Sequence, residues 1–203
     1  MSKFILASLA AVCGIAHATT ITFDDIPTTT APFGQVVNGY AGLGWTNLWA
    51  DKTNTPGLTP SGYINGTVSP NNVVYNSYAN PAGIHSLSSV GFDLRDGYFT
   101  AAWNDGLQVT ASAMFENGTT ASKTFTINTS GPIDTVFDWR DLSSVTFSSS
   151  GGTHHAGYQG MGAHFALDNL TVSASTVPEP APVMLTLAGL ALIGLQRRRV
   201  NRA

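Results

Sequence analysis

The sequence predicts an all-β domain of the sandwich class, with a short segment of a different kind at each end. Between residues 19 and 175 the chain is a succession of short apolar-alternating runs separated by Gly, Pro, Asn and Ser clusters. None of these runs keeps a helical period over three turns. Only 10% of the 203 residues are charged while 21 are Gly, against roughly a quarter charged in an ordinary globular chain, which suits an exported β-protein better than a helix-rich cytosolic enzyme. Gly-containing turns recurring about every ten residues favour a β-sandwich over alternating β and α units.

The first element is an address. Lys3 precedes the apolar run 4–12, and the segment ends in Ala16-His17-Ala18. Charged, apolar and small-residue regions in that order describe a secretory signal peptide over residues 1–18, with Ala16 and Ala18 placing cleavage after Ala18. Cys13, the one cysteine of the chain, leaves with it, so no disulfide or thiolate metal cluster is expected in the mature protein.

A first strand is expected from Thr20 to Asp24. Pro, Gly and Asn break the stretch from 28 to 81 before any run reaches six residues. Its aromatics, Tyr40, Trp45, Trp49, Tyr63, Tyr75 and Tyr78, speak against disorder, and long ordered loops across one face of the sandwich account for both facts. Beyond it the strands are clearer: Tyr98 to Trp103, Ser144 to Ser148, His164 to Val172, and above all Leu107 to Phe115, where Leu107, Val109, Ala111, Ala113 and Phe115 share a face. Glu116-Asn117-Gly118-Thr119 ends that strand; Asn-Gly suits the two positive-φ positions of a type I′ turn, so 121–127 should pair back antiparallel.

Residues 88–173 carry a resemblance. Gly91-Phe92-Asp93, Tyr98-Phe99-Thr100-Ala101-Ala102-Trp103-Asn104-Asp105-Gly106, Val145-Thr146-Phe147-Ser148-Ser149-Ser150-Gly151-Gly152 and Phe165-Ala166-Leu167-Asp168-Asn169 resemble a recurrent ectodomain of exported bacterial proteins, similar in turn to the jelly-roll sandwiches of carbohydrate-binding modules. The resemblance implies a jelly-roll-like sandwich over residues 19–175 and brings no activity with it.

The last segment, 176–203, is a second address. Pro178-Glu179-Pro180 is followed by the apolar run 181–195 and by Arg197, Arg198 and Arg199. Fifteen residues at about 1.5 Å each reach roughly 22 Å, short of the roughly 30 Å hydrocarbon core. Residues 177–180 on one side and snorkelling arginines on the other extend it to a transmembrane helix whose basic end faces the cytoplasm. These three parts in this order resemble the PEP-CTERM sorting signal of Gram-negative bacteria. The resemblance implies exosortase as a processing partner, the inner membrane as an anchor before processing, and the cell surface or an exopolysaccharide matrix as the destination.

The net charge of -3 conceals unlike parts. Residues 19–177 hold Lys52, Lys123, Arg95 and Arg140 against eleven acids, which leaves -7, and the one basic cluster lies in the tail. A nucleic-acid partner needs clustered cations and is not expected.

Four constellations within the domain are candidate sites. Asp24 and Asp25 close the first strand, and Asp168 and Asn169 lie in the last. First and last strands are commonly neighbours in jelly rolls, so the four offer hard oxygen ligands for a structural calcium ion; in the alternative, Asp25 caps a turn and Asp168 bonds backbone amides of a neighbouring loop. His154, His155 and His164 flank a Gly-rich segment, but adjacent strand residues face opposite ways, which favours a solvated loop over a zinc site. No Gly-x-Ser-x-Gly elbow is present, and nothing in the spacing of Asp93, Asp96, Asp105, Asp138 and Asp141 selects a catalytic pair, so a non-catalytic role is expected. Of the tryptophans, Trp103 shares a face with Phe99 and reads as core. Trp45 and Trp49, in the loop-rich half, are candidates for stacking on the rings of an extracellular polysaccharide.

Overall fold

The computed structural model describes residues 18–28, 33–53, 55 and 58–174. Residues 1–17, with Ala16 of the expected signal peptide, and residues 175–203, with Pro178, Glu179, Pro180, Arg197, Arg198 and Arg199 of the expected sorting tail, lie outside the described residues. Among the described residues no helix is long and apolar enough to cross a membrane. Residues 17–175 form a compact unit.

That unit contains eleven described strands: β1 Thr19–Ile21, β2 Phe33–Gln35, β3 Leu43–Thr46, β4 Leu48–Lys52, β5 Asn72–Asn76, β6 Ala82–Ser86, β7 Phe92–Ala101, β8 Asn104–Phe115, β9 Thr120–Ile127, β10 Ile133–His154 and β11 Phe165–Ala174, with one α-helical turn, α1 Gly62–Asn65, and two 3-10 turns at Tyr40–Gly42 and Ser77–Ala79. All strand pairs are antiparallel. The hydrogen-bonded path folds into two layers because β10 belongs to both. Its first half, from Ile133 to Leu142, pairs with β7, and its second, from Leu142 to His154, pairs with β8 on one side and β6 on the other. Register shifts between Val136 and Ser144 bend it there, with Asp138 and Asp141 at φ 51° and 60°; bulges are how a strand turns a sandwich corner. Layer one runs β2-β4-β5-β11-β7-β10, with β1 beside β11; layer two runs β9-β8-β10-β6-β3.

The core lies between the layers. Phe99 of β7 packs edge-on against Phe125 of β9 at 5.0 Å between ring centres, and against Phe147 and Phe165 at 5.3 and 5.8 Å. Fully burying one such ring contributes about 1.5–3 kcal/mol relative to leaving it exposed. The β8–β9 hairpin forms as the sequence predicts, Leu107 opposite Ile127 and Met114 opposite Thr120. Its turn differs: only Gly118 takes positive φ, 81°. The Phe115 N–H bonds the Thr119 carbonyl at 2.9 Å, and Asn117 Oδ1 accepts the Thr119 N–H at 2.9 Å. The result is a three-residue loop with one left-handed glycine, not the two-residue type I′ turn.

The stretch 28–81 corrects the expectation of long loops. It supplies β2 to β5 and spends only residues 58–71 as a strap across the outer face of layer one. The strap is pinned where the Gly62 N–H meets the Ala102 carbonyl at 2.9 Å. A Cβ on Gly62 would lie 1.7 Å from the Ala101 carbonyl oxygen, so this close approach requires glycine. Tyr63, Val73, Ala102, Trp103 and Ala166 form a second apolar cluster beneath it, and Trp103, expected in the main core, is buried there instead.

Candidate functional site

The outer face of layer two carries a shallow groove of about 460 Å³ over β8, β9 and β10. A smaller hollow of about 130 Å³ over β10, β6 and β3 continues it through the shared Ser144 and Thr146. Register explains the lining. Most inward residues of these strands are apolar, with Lys123 of β9 an exception opposite Ala111, so the alternation sends Ser and Thr outward. One rung crosses five strands as Ser122, Ser112, Thr146, Gly83 and Thr46; the next reads Thr120, Met114, Ser144, His85 and Gly44. At about 4.8 Å between strands the groove runs roughly 19 Å across the sheet.

No Asp, Glu, Lys or Arg lines either hollow. The floor at the β6–β3 end is low because Gly83 and Gly44 carry no side chain; the His85 ring lies over Gly44, where a Cβ would meet Nε2 at 2.1 Å. Such a surface offers many hydroxyl donors and acceptors and no fixed charge, which matches an uncharged, hydroxyl-rich ligand. A nucleophilic serine requires a base within hydrogen-bond reach and an acid behind it. Among the described residues the His–carboxylate pair is elsewhere: His155 Nδ1 lies 2.6 Å from Asp105 Oδ2.

At that end of the sandwich Asp105 Oδ1 also accepts the Thr129 N–H at 2.8 Å and its hydroxyl at 2.7 Å. The Thr129 amide, then His155, hold the Asp105 carboxyl down at about 2. The three histidines do not converge: His154 Nε2 meets the Gly160 carbonyl at 2.7 Å, and His164, its pKa lowered by burial, leaves Nδ1 buried without a partner.

The calcium set is likewise dispersed. β1 does pair with β11, but Asp24 Oδ1 accepts the Asn72 N–H at 3.1 Å, and Asp25 Oδ1 accepts the Tyr40 hydroxyl at 2.6 Å. Asp168, fully buried, accepts the Val68 and Ser69 N–H groups, the Ser69 hydroxyl and the Asn169 N–H, at 2.7, 2.9, 3.2 and 2.7 Å. Four protons face that carboxylate where a cation would have to sit, and burial still raises its pKa. Asn169, left-handed at φ 47°, leaves Oδ1 buried without a partner. Among the described residues no three His, Cys, Asp or Glu side chains gather as for a metal. The expectation of Asp24, Asp25, Asp168 and Asn169 as one ligand set is therefore corrected in favour of backbone anchoring.

Trp45 and Trp49 part company. Asn47 between them, at φ 54°, carries the chain from layer two to layer one. Trp45 is 5% exposed, edge-on to Phe23 at 5.7 Å, and donates Nε1–H to the Tyr40 carbonyl at 2.9 Å. This corrects its reading as a stacking surface, because the ring is closed to ligand. Trp49 is half-buried on layer one, opposite Gln35 on β2 and Tyr75 on β5. The groove itself was missed; no local motif marks it, since it exists only once five strands take their register.

No protein-family model matches the chain, and no curated protein matches it. Among solved structures it is similar to a DUF4465 family protein from Bacteroides caccae, at 10% identity over 83% of this chain and 90% of that one, TM-score 0.46. It is also similar to the N-terminal CBM22-1–CBM22-2 tandem domain of Xyn10C from Paenibacillus barcinonensis, at 11% identity over 85% and 49%, TM-score 0.41. A third is TmCBM61 in complex with β-1,4-galactotriose, at 8% identity over 74% and 92%, TM-score 0.38. At these scores the likenesses assign neither family nor ligand, and function has to be read from the chain's own geometry.

Proposed function

We propose that this chain is an exported cell-surface or exopolysaccharide-matrix protein whose β-sandwich binds a neutral extracellular polysaccharide in the outer groove of layer two without transforming it. One observation carries the reading: a depression crossing five strands, lined by Ser and Thr hydroxyls together with Met114, Pro81 and His85, with no Asp, Glu, Lys or Arg. A charged glycan or a nucleic acid would find no counter-charge there. The signal peptide and the Pro178-Glu179-Pro180, apolar-helix and arginine tail support export and exosortase processing, with the membrane helix holding the chain until the tail is handled.

Two experiments test this. The full chain, applied to an immobilised panel of neutral and anionic polysaccharides, should be retained by a neutral one, and Thr146→Glu should abolish retention while leaving the melting temperature within a few degrees. Retention only by anionic polymers, or equal retention of Thr146→Glu, contradicts the groove. Mass spectrometry of the protein from exosortase-positive cells should find the C-terminus cut near Pro178; an intact Ala203 contradicts the sorting route.

A further inference from the structure

At its β3 end the groove of layer two finishes on an aromatic ring laid flat. His85 of β6 stands directly opposite Gly44 of β3. A Cβ on Gly44 would meet Nε2, Cε1 and Cδ2 of that ring at 2.1, 2.4 and 2.6 Å. An imidazole met edge-on would hold its two carbons clearly farther off than its nitrogen, so the ring lies face-down over the Gly44 backbone. Gly44 is not among the residues at positive φ; what the glycine contributes is the vacant place under the ring, not backbone freedom.

A ring face-down on a sheet turns its other face outward. His85 is half-buried. Among the described residues its ring makes no hydrogen bond and leaves neither nitrogen buried without a partner, so both nitrogens face water. The same residue lines the hollow of about 130 Å³, with Thr46, Pro81, Ser144 and Thr146. Among the described residues it is the one aromatic side chain lining either hollow.

We propose that the β6–β3 end of the groove is a subsite for one pyranose unit, in which the outward face of His85 stacks on the apolar C–H face of the sugar and Gly44 holds the imidazole flat to receive it. This rests on the groove reading above and adds to it a subsite and the residue that sets the sugar's orientation there. An aromatic face desolvates the C–H surface of a sugar while the hydroxyls at its rim stay wet, and the two imidazole nitrogens supply a donor and an acceptor at that rim. A ring laid over a cross-strand glycine also shields the backbone of an edge strand such as β3, so affinity and stability have to be read separately.

The test uses the full chain and whichever neutral polysaccharide of a xylan, galactan and mixed-linkage glucan panel it retains, with affinity read by calorimetry and each variant's melting temperature beside it. His85→Ala should weaken binding about five- to tenfold, and His85→Phe, which keeps a flat ring, should retain most of the affinity. Gly44→Ala leaves His85 in the chain but pushes its ring off the sheet, so it should weaken binding as much as His85→Ala, and the double variant should weaken it no further. A ring that only shields β3 would lower the melting temperature in these variants and leave affinity unchanged. Wild-type affinity in His85→Ala or in Gly44→Ala, with binding lost in Thr146→Glu, overturns the His85 subsite and leaves the groove standing. Failure of the wild-type chain to bind any of the three overturns both.

Discussion

Ser69 gives both of its hydrogen-bond donors to Asp168: its N–H reaches Oδ2 at 2.9 Å and its hydroxyl reaches Oδ1 at 3.2 Å. Through this contact the last strand fixes the far end of the strap. Asp168→Ala would leave the part-buried amides of residues 68 and 69 without their acceptor, so it should cost about 2 kcal/mol or more in urea unfolding. A loss under 1 kcal/mol would mean the strap is held by its apolar cluster alone. Because the carboxylate is saturated by protein donors, calcium added to EDTA-treated protein should leave the melting temperature unchanged; a rise of several degrees would restore the calcium reading.

Asp51 is the opposite case. It is 1% exposed under the strap, and neither carboxylate oxygen has a partner. Burial pushes its pKa to about 7, against a weaker pull from the neighbouring Lys52 N–H, which does not reach hydrogen-bond geometry. A folded carboxyl with a raised pKa holds a proton that the unfolded chain gives up near pH 4, so stability from this group falls as pH rises from about 4 to about 7 and then levels. Asp51→Asn removes the charge and should abolish that decline. Melting curves of both proteins should converge near pH 4 and separate, with Asp51→Asn higher, by pH 8; parallel curves would show that Asp51 does not titrate in this window.

Lys123 lies on the inward register of the edge strand β9, opposite Ala111. Its Nζ crosses to the Val136 carbonyl at 2.5 Å and stands 5.8 Å from the Phe137 ring centre. A cation at this position discourages a second strand from adding to the open edge. Lys123→Val should shift the protein from monomer toward dimer or larger species in analytical ultracentrifugation; an unchanged distribution would assign Lys123 to packing alone.

At the corner of β10, Asp138 is exposed at φ 51°. Asp138→Gly should relieve that conformation and stabilise the fold by about 0.5–1 kcal/mol, read from the urea midpoint. A loss of stability would show that the aspartate side chain holds the bend.

The sequence was most legible where structure is local. The β8–β9 hairpin follows from alternation and Asn117-Gly118, the pairing of β1 with β11 is what the jelly-roll resemblance implies, and the backbone role of Asp168 is the alternative set beside calcium. It was least legible where pairing is distant. β2 to β5 are three to five residues each, too short to show a period, and their partners lie across the fold. The 22-residue β10 was seen only as Ser144 to Ser148 because its bulges interrupt the alternation. Trp45 and Trp49 read as exposed because they lie in a loop-rich half, yet that half is strand, and the turn at Asn47 places them in different layers, one of them in the core. The groove needs β8, β10 and β6 in register before Ser112, Thr146 and Gly83 become neighbours.

The most direct test of the central claim is an amide and methyl NMR titration of the protein with a soluble fragment of the neutral polysaccharide it retains. The account predicts saturable shifts at Ser112, Ser122, Ser144 and Thr146, with His155 and Asp105 unmoved. Shifts centred on Asp105 and His155, with the layer-two rungs silent, would contradict it.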